Sequence, residues 1–258
     1  MNHRIAVFVT IIGLMLPGCK FEQETNEHQG MMGVQALMWI QYAAEVEALY
    51  LQGYNVATEV IRNYAVDEPG LPPAVSLDID ETVLDNSPFN VHLLRTGASY
   101  SEELWKEWCM KKDATPVPGA LQFVQLAEKL GIEVFYVSNR HISLRDATLE
   151  NLQKHGFPFA DTTHLLLKTS TSSKDLRREK IRKEYDLILL GGDNLGDFDG
   201  IFDNRESNNG KQHVGEHAEE FGTRFIVFPN PIYGSWQRAL FPAGVPSEEK
   251  VLEKLKGY

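Results

Sequence analysis

The sequence predicts an α/β fold in which a mostly parallel sheet is covered by helices on both faces. Short β-rich apolar runs alternate with helical segments from residue 74 onward, which is the order of βαβ units. The composition is ordinary for a globular protein, with 43% hydrophobic and 24% charged residues. A chain of 258 residues is also long enough to bury a large core.

The N-terminus has the pattern of a secretory signal. A short basic start, Met1–Arg4, precedes the apolar stretch Ile5–Leu16, which is too short to span a bilayer because about 20 residues are needed. The stretch ends at Leu16-Pro17-Gly18-Cys19, which resembles a bacterial lipoprotein signal. The resemblance implies a signal peptide at 1–18, lipid on Cys19, a tether at 19–30 and an outer-membrane location. An ordinary signal peptide with a chance cysteine is the alternative.

The elements after the tether follow in a regular order. Met31–Tyr64 is apolar at helical spacing, with Gly53 as its main breaker, and predicts one or two helices that pack on the core. A Pro- and Gly-rich break at 67–73 follows. Strands are then predicted at 74–79, 132–137, 165–167, 187–190 and 224–228. Helices are predicted at 118–131, 144–155, 174–185 and 206–221.

Charge and cysteine content exclude some classes of function. The net charge is −11 and the chain has no run of Lys or Arg, so we expect no nucleic-acid polymer as a partner. Only two cysteines are present. If Cys19 carries lipid, Cys109 has no partner for an intrachain disulfide, and its position between Trp108 and Met110 predicts a buried, inert thiol.

Two carboxylates follow the first predicted strand. Asp78 and Asp80 are two residues apart, so they leave the sheet on the same side. Two carboxylates placed together repel each other and require a cation or a shared proton. Taken alone, the pair is also compatible with a polar exit from a strand into a loop.

Three further segments argue against a simple polar exit from the strand. Ser138-Asn139-Arg140 follows the second strand, Ser172-Ser173-Lys174 opens a helix after the third, and Gly192–Asp197 follows the fourth. In parallel sheets, ligands bind beyond the carboxyl ends of the strands. Four consecutive strands therefore end in residues suited to phosphate or a metal ion.

These segments resemble the four motifs of the haloacid-dehalogenase (HAD) superfamily. More narrowly, Asp78–Ser87, Gly192–Leu195 and Asn230–Trp236 are similar to the class C acid phosphatases, the outer-membrane lipoprotein 5′-nucleotidase group. The similarity runs from about Met38 to Trp236. It implies a HAD-like parallel sheet with N-terminal helices, and a phosphatase domain at 31–258 with its core at about 72–230 and a small helical cap at about 85–117.

The resemblance also implies a mechanism. Asp78 attacks phosphorus to form a phosphoaspartyl intermediate. Asp80 protonates the leaving group and then deprotonates the hydrolytic water. Mg²⁺ is held by Asp78, the backbone carbonyl of Asp80 and Asp193. Asp197 orients a metal-bound water.

The implied phosphate contacts come from Ser138, Asn139 and Lys174. Lys168 is the alternative phosphate lysine, but Lys174 is preferred because it opens a helix, where backbone N–H groups favour anions. Arg140 either assists at the phosphate or is a surface arginine. Removing one preorganised contact of this kind typically costs a factor of about 10² to 10³ in rate.

Aromatic residues suggest the class of substrate. In the related nucleotidases, the positions matching Tyr100, Trp105 and Tyr233 sandwich a base or nicotinamide ring, which implies nucleoside 5′-monophosphates or nicotinamide mononucleotide as substrates. Trp105 and Trp108 have helical spacing, so packing in the core is the alternative role for both.

Two rival functions are weaker. His213-Val214-Gly215-Glu216-His217 matches a short zinc-peptidase pattern, but Gly215 disfavours a helix at its centre and the surrounding acidic residues suggest a solvated face. A non-catalytic lipoprotein for binding or adhesion would be expected to have lost the nucleophile, which is present. The sequence leaves the oligomeric state open, with a dimer as one option.

Overall fold

The computed structural model describes residues 33–64, 70–206, 208–242 and 246–257. Its helices are α1 (33–42), α2 (Ala44–Asn63), α3 (Ser87–Thr96), α4 (Glu102–Lys111), α5 (Ala120–Lys129), α6 (Arg145–Lys154), α7 (Asp175–Arg182), α8 (Lys211–Glu216), α9 (Ser235–Leu240) and α10 (Glu248–Lys254). Its strands are β1 (Pro73–Leu77), β2 (Leu84–Asp85), β3 (Thr115–Pro116), β4 (Glu133–His141), β5 (Leu165–Lys168), β6 (Asp186–Gly192) and β7 (Phe225–Val227). The signal and tether predicted at 1–30, with Cys19, lie outside the described residues.

Five strands form one parallel sheet in the order β5-β4-β1-β6-β7. Strand β1 is central, between β4 and β6, although these strands are far apart in sequence. All five strands point the same way, so the residues that follow β1, β4, β5 and β6 gather at one edge. The predicted α/β fold with a parallel sheet is confirmed.

Both faces of the sheet are covered by apolar side chains that alternate along the strands. On one face, Val75 and Leu77 of β1 pack in a cluster with Tyr54 of α2 and Phe123 of α5. On the other, a second cluster includes Phe135, Val137, Leu190, Phe198 and, from α7, Ile181. Helices α2 and α7 therefore hold opposite faces of the sheet.

Gly53 has a packing role in α2. A Cβ atom at this position would lie 2.7 Å from the ring of Phe228, so the absence of a side chain lets the helix lie close against the sheet. The predicted Met31–Tyr64 segment is described from residue 33 and forms two helices that break at Ala43.

The segment between β1 and α5 forms a small subdomain above the sheet edge. It contains α3 and α4, in agreement with the predicted helical cap. Its base is a two-stranded antiparallel pair, Leu84–Asp85 with Thr115–Pro116. The pair was not predicted, because two-residue strands leave no alternating pattern in a sequence.

Several boundaries and elements differ from the prediction. Ser138, Asn139 and Arg140 lie within β4, which runs to His141, rather than after the strand. The helix predicted at 206–221 is wrong as one element: it is divided into short 3₁₀ turns and the six-residue α8, because Asn209 and Gly210 adopt positive φ. Helices α9 and α10 were not predicted. Among the described residues, no helix combines the length and apolar character needed to cross a membrane.

Candidate active site

Three aspartates form an acidic cluster at the sheet edge. Asp78 follows β1, and Asp193 and Asp197 follow β6. One carboxylate oxygen of each lies within 4.8 Å of the corresponding oxygens of the others. The backbone N–H of Asp78 donates to the carbonyl of Gly191 at 2.9 Å, which ties the end of β1 to β6. Hydrogen bonding between these central strands thus brings the first and fourth motifs together.

Lys174 joins two members of the cluster. Its Nζ atom lies 2.6 Å from Oδ1 of Asp78 and 2.6 Å from Oδ1 of Asp197, and the residue is 3% exposed. It occupies the N-cap position of α7. Lys168 lines the same cleft, but within the described residues Lys174 is the lysine that contacts these carboxylates. The geometry therefore agrees with the preference for Lys174.

Asp197 is held by the backbone around it. Its Oδ2 accepts a hydrogen bond from the N–H of Asn194 at 2.9 Å, and the Asn194 side chain accepts from Gly196, which together form a capping box. A Cβ atom at Gly192 would lie 2.3 Å from Oδ2 of Asp197. A residue with a side chain at position 192 would therefore displace the Asp197 carboxylate.

Burial and mutual repulsion strongly perturb the cluster. Burial raises the pKa of Asp78 to about 7; the ion pair with Lys174 opposes that rise, and the charges of Asp197 and Asp80 add to it. Burial, followed by Asp197 and Asp78, also raises the pKa of Asp193 well above its usual range. Burial lowers the pKa of Lys174, but Asp197 and Asp78 more than reverse this, so its pKa is raised and it stays charged.

Asp80 is clamped beside the cluster. Arg140 donates from Nε and a terminal nitrogen to Oδ1 of Asp80 at 3.0 and 2.8 Å, and Asn86 donates to the same oxygen at 2.8 Å. Oδ2 has longer contacts, 3.3 Å from Arg140 Nε and 3.5 Å from the Ser138 hydroxyl. Arg140 is 2% exposed, so it is a buried clamp rather than a surface arginine.

The second motif contributes mostly through fixed contacts. The Ser138 hydroxyl is fully buried and accepts from the N–H of Arg140 at 3.1 Å. The exposed Asn139 lines the cleft, and its side-chain oxygen accepts from Arg177 at 2.6 Å. Arg177 also donates to the Ser138 carbonyl at 2.6 Å. A residue that the sequence analysis did not single out thus joins the second motif to the helix that begins after Lys174.

The three predicted stacking residues line one cleft of about 580 Å³ together with the acidic cluster. Tyr100 is 57% exposed. The Trp105 ring lies edge-on to Phe89, with centroids 5.1 Å apart, and 5.5 Å from the Arg140 guanidinium carbon. Trp108 instead donates its indole N–H to Asn86 at 2.8 Å. Tyr233 completes the lining from the opposite end of the chain.

Glu81 is a contact residue that the sequence analysis did not identify. It is 1% exposed, and one carboxylate oxygen accepts from the N–H of Asn86 at 2.9 Å while the other accepts from the Tyr233 hydroxyl. Burial, followed by the charges of Asp80 and Asp193, raises the pKa of Glu81 well above its usual range. Its presence within the motif Asp78–Thr82 was the available signal.

The remaining candidates lie outside the cleft. Nδ1 of His217 donates to the His213 carbonyl at 2.9 Å, and His213 contacts Glu216 at 3.1 Å. Neither histidine lines the cleft with the acidic cluster. Cys109 is a buried free thiol, so the prediction of a buried thiol is confirmed. Burial also raises its pKa to about 12, which disfavours the reactive thiolate.

The family is decided by residues 19–236, which match the model of the HAD superfamily, subfamily IIIB (acid phosphatase). The chain belongs to this acid phosphatase subfamily. The solved class C acid phosphatase from Bacillus anthracis is 35% identical, with a TM-score of 0.84 over 89% of this chain and 99% of that one. A tungstate-bound structure from the same organism is 36% identical, with a TM-score of 0.83. The resemblance to class C acid phosphatases and the HAD-like fold are confirmed.

Several curated relatives of this chain are plant proteins. A 31 kDa stem glycoprotein of Glycine max is 28% identical over 60% of this chain and 57% of its own length. Acid phosphatase 1 of Solanum lycopersicum is 31% identical over 47% of this chain and 50% of its own length. The chain therefore spans about half the length of these relatives.

Proposed function

We propose that the protein is a magnesium-dependent acid phosphatase that hydrolyses phosphomonoesters through a phosphoaspartyl intermediate on Asp78. The observation that carries the proposal is the buried contact of Lys174 with Asp78 and Asp197, beside Asp193, at the edge of a parallel sheet. Family membership and the tungstate complex of the related Bacillus anthracis protein support it, since tungstate is a tetrahedral oxyanion like phosphate.

The acidic cluster fits a divalent cation. The cluster contains three carboxylates, those of Asp78, Asp193 and Asp197, and one positive charge, that of Lys174. When all four groups are ionised, an excess of two negative charges remains. Hard oxygen donors of this kind suit Mg²⁺. Asp78 and Asp193 would hold the ion together with the Asp80 carbonyl, and Asp197 would orient a bound water. When bound, the ion would neutralise charge that develops on the phosphoryl oxygens.

The remaining steps of the proposed reaction are assigned to individual side chains. The free carboxylate oxygen of Asp78 attacks phosphorus, the ester bond breaks, and the leaving oxygen takes a proton from Asp80. Asp80 then removes a proton from the water that hydrolyses the acyl phosphate. Its Oδ2, the less tightly bound oxygen, is the one suited to proton transfer. Ser138, Asn139 and Lys174 bind phosphoryl oxygens, and the Ser138 hydroxyl also lies 3.5 Å from Oδ2 of Asp80.

We further propose a nucleoside 5′-monophosphate or nicotinamide mononucleotide as substrate. The cleft joins the acidic cluster to Tyr100, Trp105 and Tyr233, so a phosphate at Asp78 would leave a planar ring among the aromatic side chains. The lipid anchor on Cys19 and the outer-membrane location are part of the same proposal. Removing the phosphate outside the cytoplasm would convert a charged nucleotide, which crosses membranes poorly, into a nucleoside that can be taken up.

Hydrolysis of p-nitrophenyl phosphate by the purified soluble form tests the enzyme function. We expect turnover with Mg²⁺, loss of it with EDTA, and a decrease of more than about 10³-fold in Asp78→Asn. Beryllium fluoride with Mg²⁺ should form an adduct on Asp78 that mass spectrometry of the native protein detects. Absence of turnover by the folded wild type would favour the non-catalytic lipoprotein instead.

A further inference from the structure

The ring of Tyr233 is restrained at both ends by the catalytic motifs. The Asn230 side chain donates to Oδ2 of Asp193 at 2.7 Å, and its oxygen accepts from the backbone N–H groups of Ile232 and Tyr233 at 3.0 and 3.3 Å. The backbone of Tyr233 is thus fixed to the fourth motif. At the other end, its hydroxyl donates to the Glu81 carboxylate in the first motif.

Glu81 is itself immobilised in the turn after β1. Its carbonyl accepts from the Tyr50 hydroxyl at 2.8 Å, and the same hydroxyl lies 3.5 Å from the carbonyl of Pro229. Its backbone has φ of 57°, a left-handed conformation that non-glycine residues adopt rarely. The surroundings therefore hold this side chain in one place, with its carboxylate directed at Tyr233.

We propose that Glu81 is a positioning residue that fixes the Tyr233 ring for stacking and so sets the preference for substrates that carry a planar base. This inference rests on the proposed nucleotide substrate. Tyrosine rotates about two side-chain bonds, and a ring that is already held in place loses less freedom when a base stacks on it. Glu81 is not among the residues that line the cleft with Asp78 and Lys174, so its effect should fall on ring-containing substrates alone.

The test compares kcat/KM for AMP with kcat/KM for ribose 5-phosphate, which has the same phosphoester but no base. In Tyr233→Phe the ring remains but its hydrogen bond to Glu81 is lost. We expect the ratio of kcat/KM for AMP to kcat/KM for ribose 5-phosphate to fall about threefold to tenfold. Glu81→Ala should lower the ratio similarly, without a further decrease in the double variant. Glu81→Gln keeps a hydrogen-bonding group at Tyr233 and should retain most of the ratio.

A matched control separates this effect from general loosening of the turn. Tyr54→Phe removes another buried phenol hydrogen bond to the same turn, from the Tyr54 hydroxyl to the Thr82 carbonyl at 2.6 Å, and should leave the ratio unchanged. If Tyr233→Phe keeps the wild-type ratio, the positioning role is overturned. If Tyr233→Ala also keeps it, stacking on Tyr233 fails as well, whereas turnover of p-nitrophenyl phosphate tests the phosphatase function independently.

Discussion

The two sides of the cleft are built on different principles. The sheet edge holds Asp78, Lys174 and Asp197 buried and paired at 2.6 Å, whereas the cap side presents Phe89, Trp105 and a largely exposed Tyr100 through apolar and ring contacts. Fixed charges suit a reaction whose geometry cannot vary. A partly exposed aromatic wall suits substrates that vary beyond the phosphate. Variants on the two sides should therefore differ in size of effect and in substrate dependence.

The largest contrast is expected between the two lysines of the cleft. Lys174→Ala should lower kcat by about 10² to 10³ for every phosphomonoester, because it removes a preorganised cation from the phosphoryl site. Lys168→Ala, at the end of β5, should cost less than about tenfold. Steady-state kinetics on two unrelated phosphomonoesters measures both. Equal losses for the two variants would show that the phosphate lysine has been assigned incorrectly.

Arg140 tests whether the clamp on Asp80 serves proton transfer. Lysine cannot reproduce the two-pronged contact of the guanidinium, so Arg140→Lys should misplace Asp80. We expect kcat/KM for AMP, whose leaving group needs a proton, to fall by about 10²-fold. For p-nitrophenyl phosphate, whose leaving group is stable without a proton, the decrease should be below about tenfold. A uniform loss on both would indicate a structural role only.

Metal removal should make stability depend on pH. The pKa of Asp78 is raised to about 7 in the folded protein from an ordinary value of 3.8, so the folded state holds this proton more tightly than the unfolded state. Its stabilising effect is complete below about pH 4 and is lost as pH rises through 7. The Tm in EDTA should therefore fall by about 5 °C between pH 5 and 7.

Added Mg²⁺ should reverse that trend. Binding requires ionised carboxylates, so Mg²⁺ should raise Tm more at pH 7 than at pH 5. Asp78→Asn removes one of the repelling charges, and its metal-free Tm should vary less with pH than that of the wild type. A metal-free Tm that rises from pH 5 to 7 would contradict the raised pKa values of the cluster.

The smallest effect is expected on the cap side. Tyr100→Ala removes a side chain that is more than half exposed, so only part of a full stacking contact can be lost. KM for AMP should rise about threefold to tenfold, and kcat/KM for ribose 5-phosphate should stay within about twofold. If both substrates weaken equally, Tyr100 contributes to the shape of the cap rather than to base recognition.

Sequence patterns predicted the sheet edge better than the rest of the molecule. Asp78, Lys174 and Asp193 each follow a recognisable strand, and parallel strands bring their carboxyl ends together, so the cluster could be anticipated. Arg177 and Glu81 act through contacts between segments distant in sequence, and no local pattern reveals such partners. The helix expected at 206–221 was wrong because Asn209 and Gly210 adopt positive φ, which prevents a continuous helix before α8 begins at Lys211.

The strand order also determines when the protein can first become active during folding. Because β1 lies between β4 and β6, the Asp78 carboxylate can meet Lys174, 96 residues later in the chain, and Asp197 only after β4, β5 and β6 have been synthesised. Partly folded chains would lack a working centre, and long-range pairings of this kind form slowly. Recovery of turnover after dilution from denaturant should consequently follow the pairing of β1 with β4 and β6.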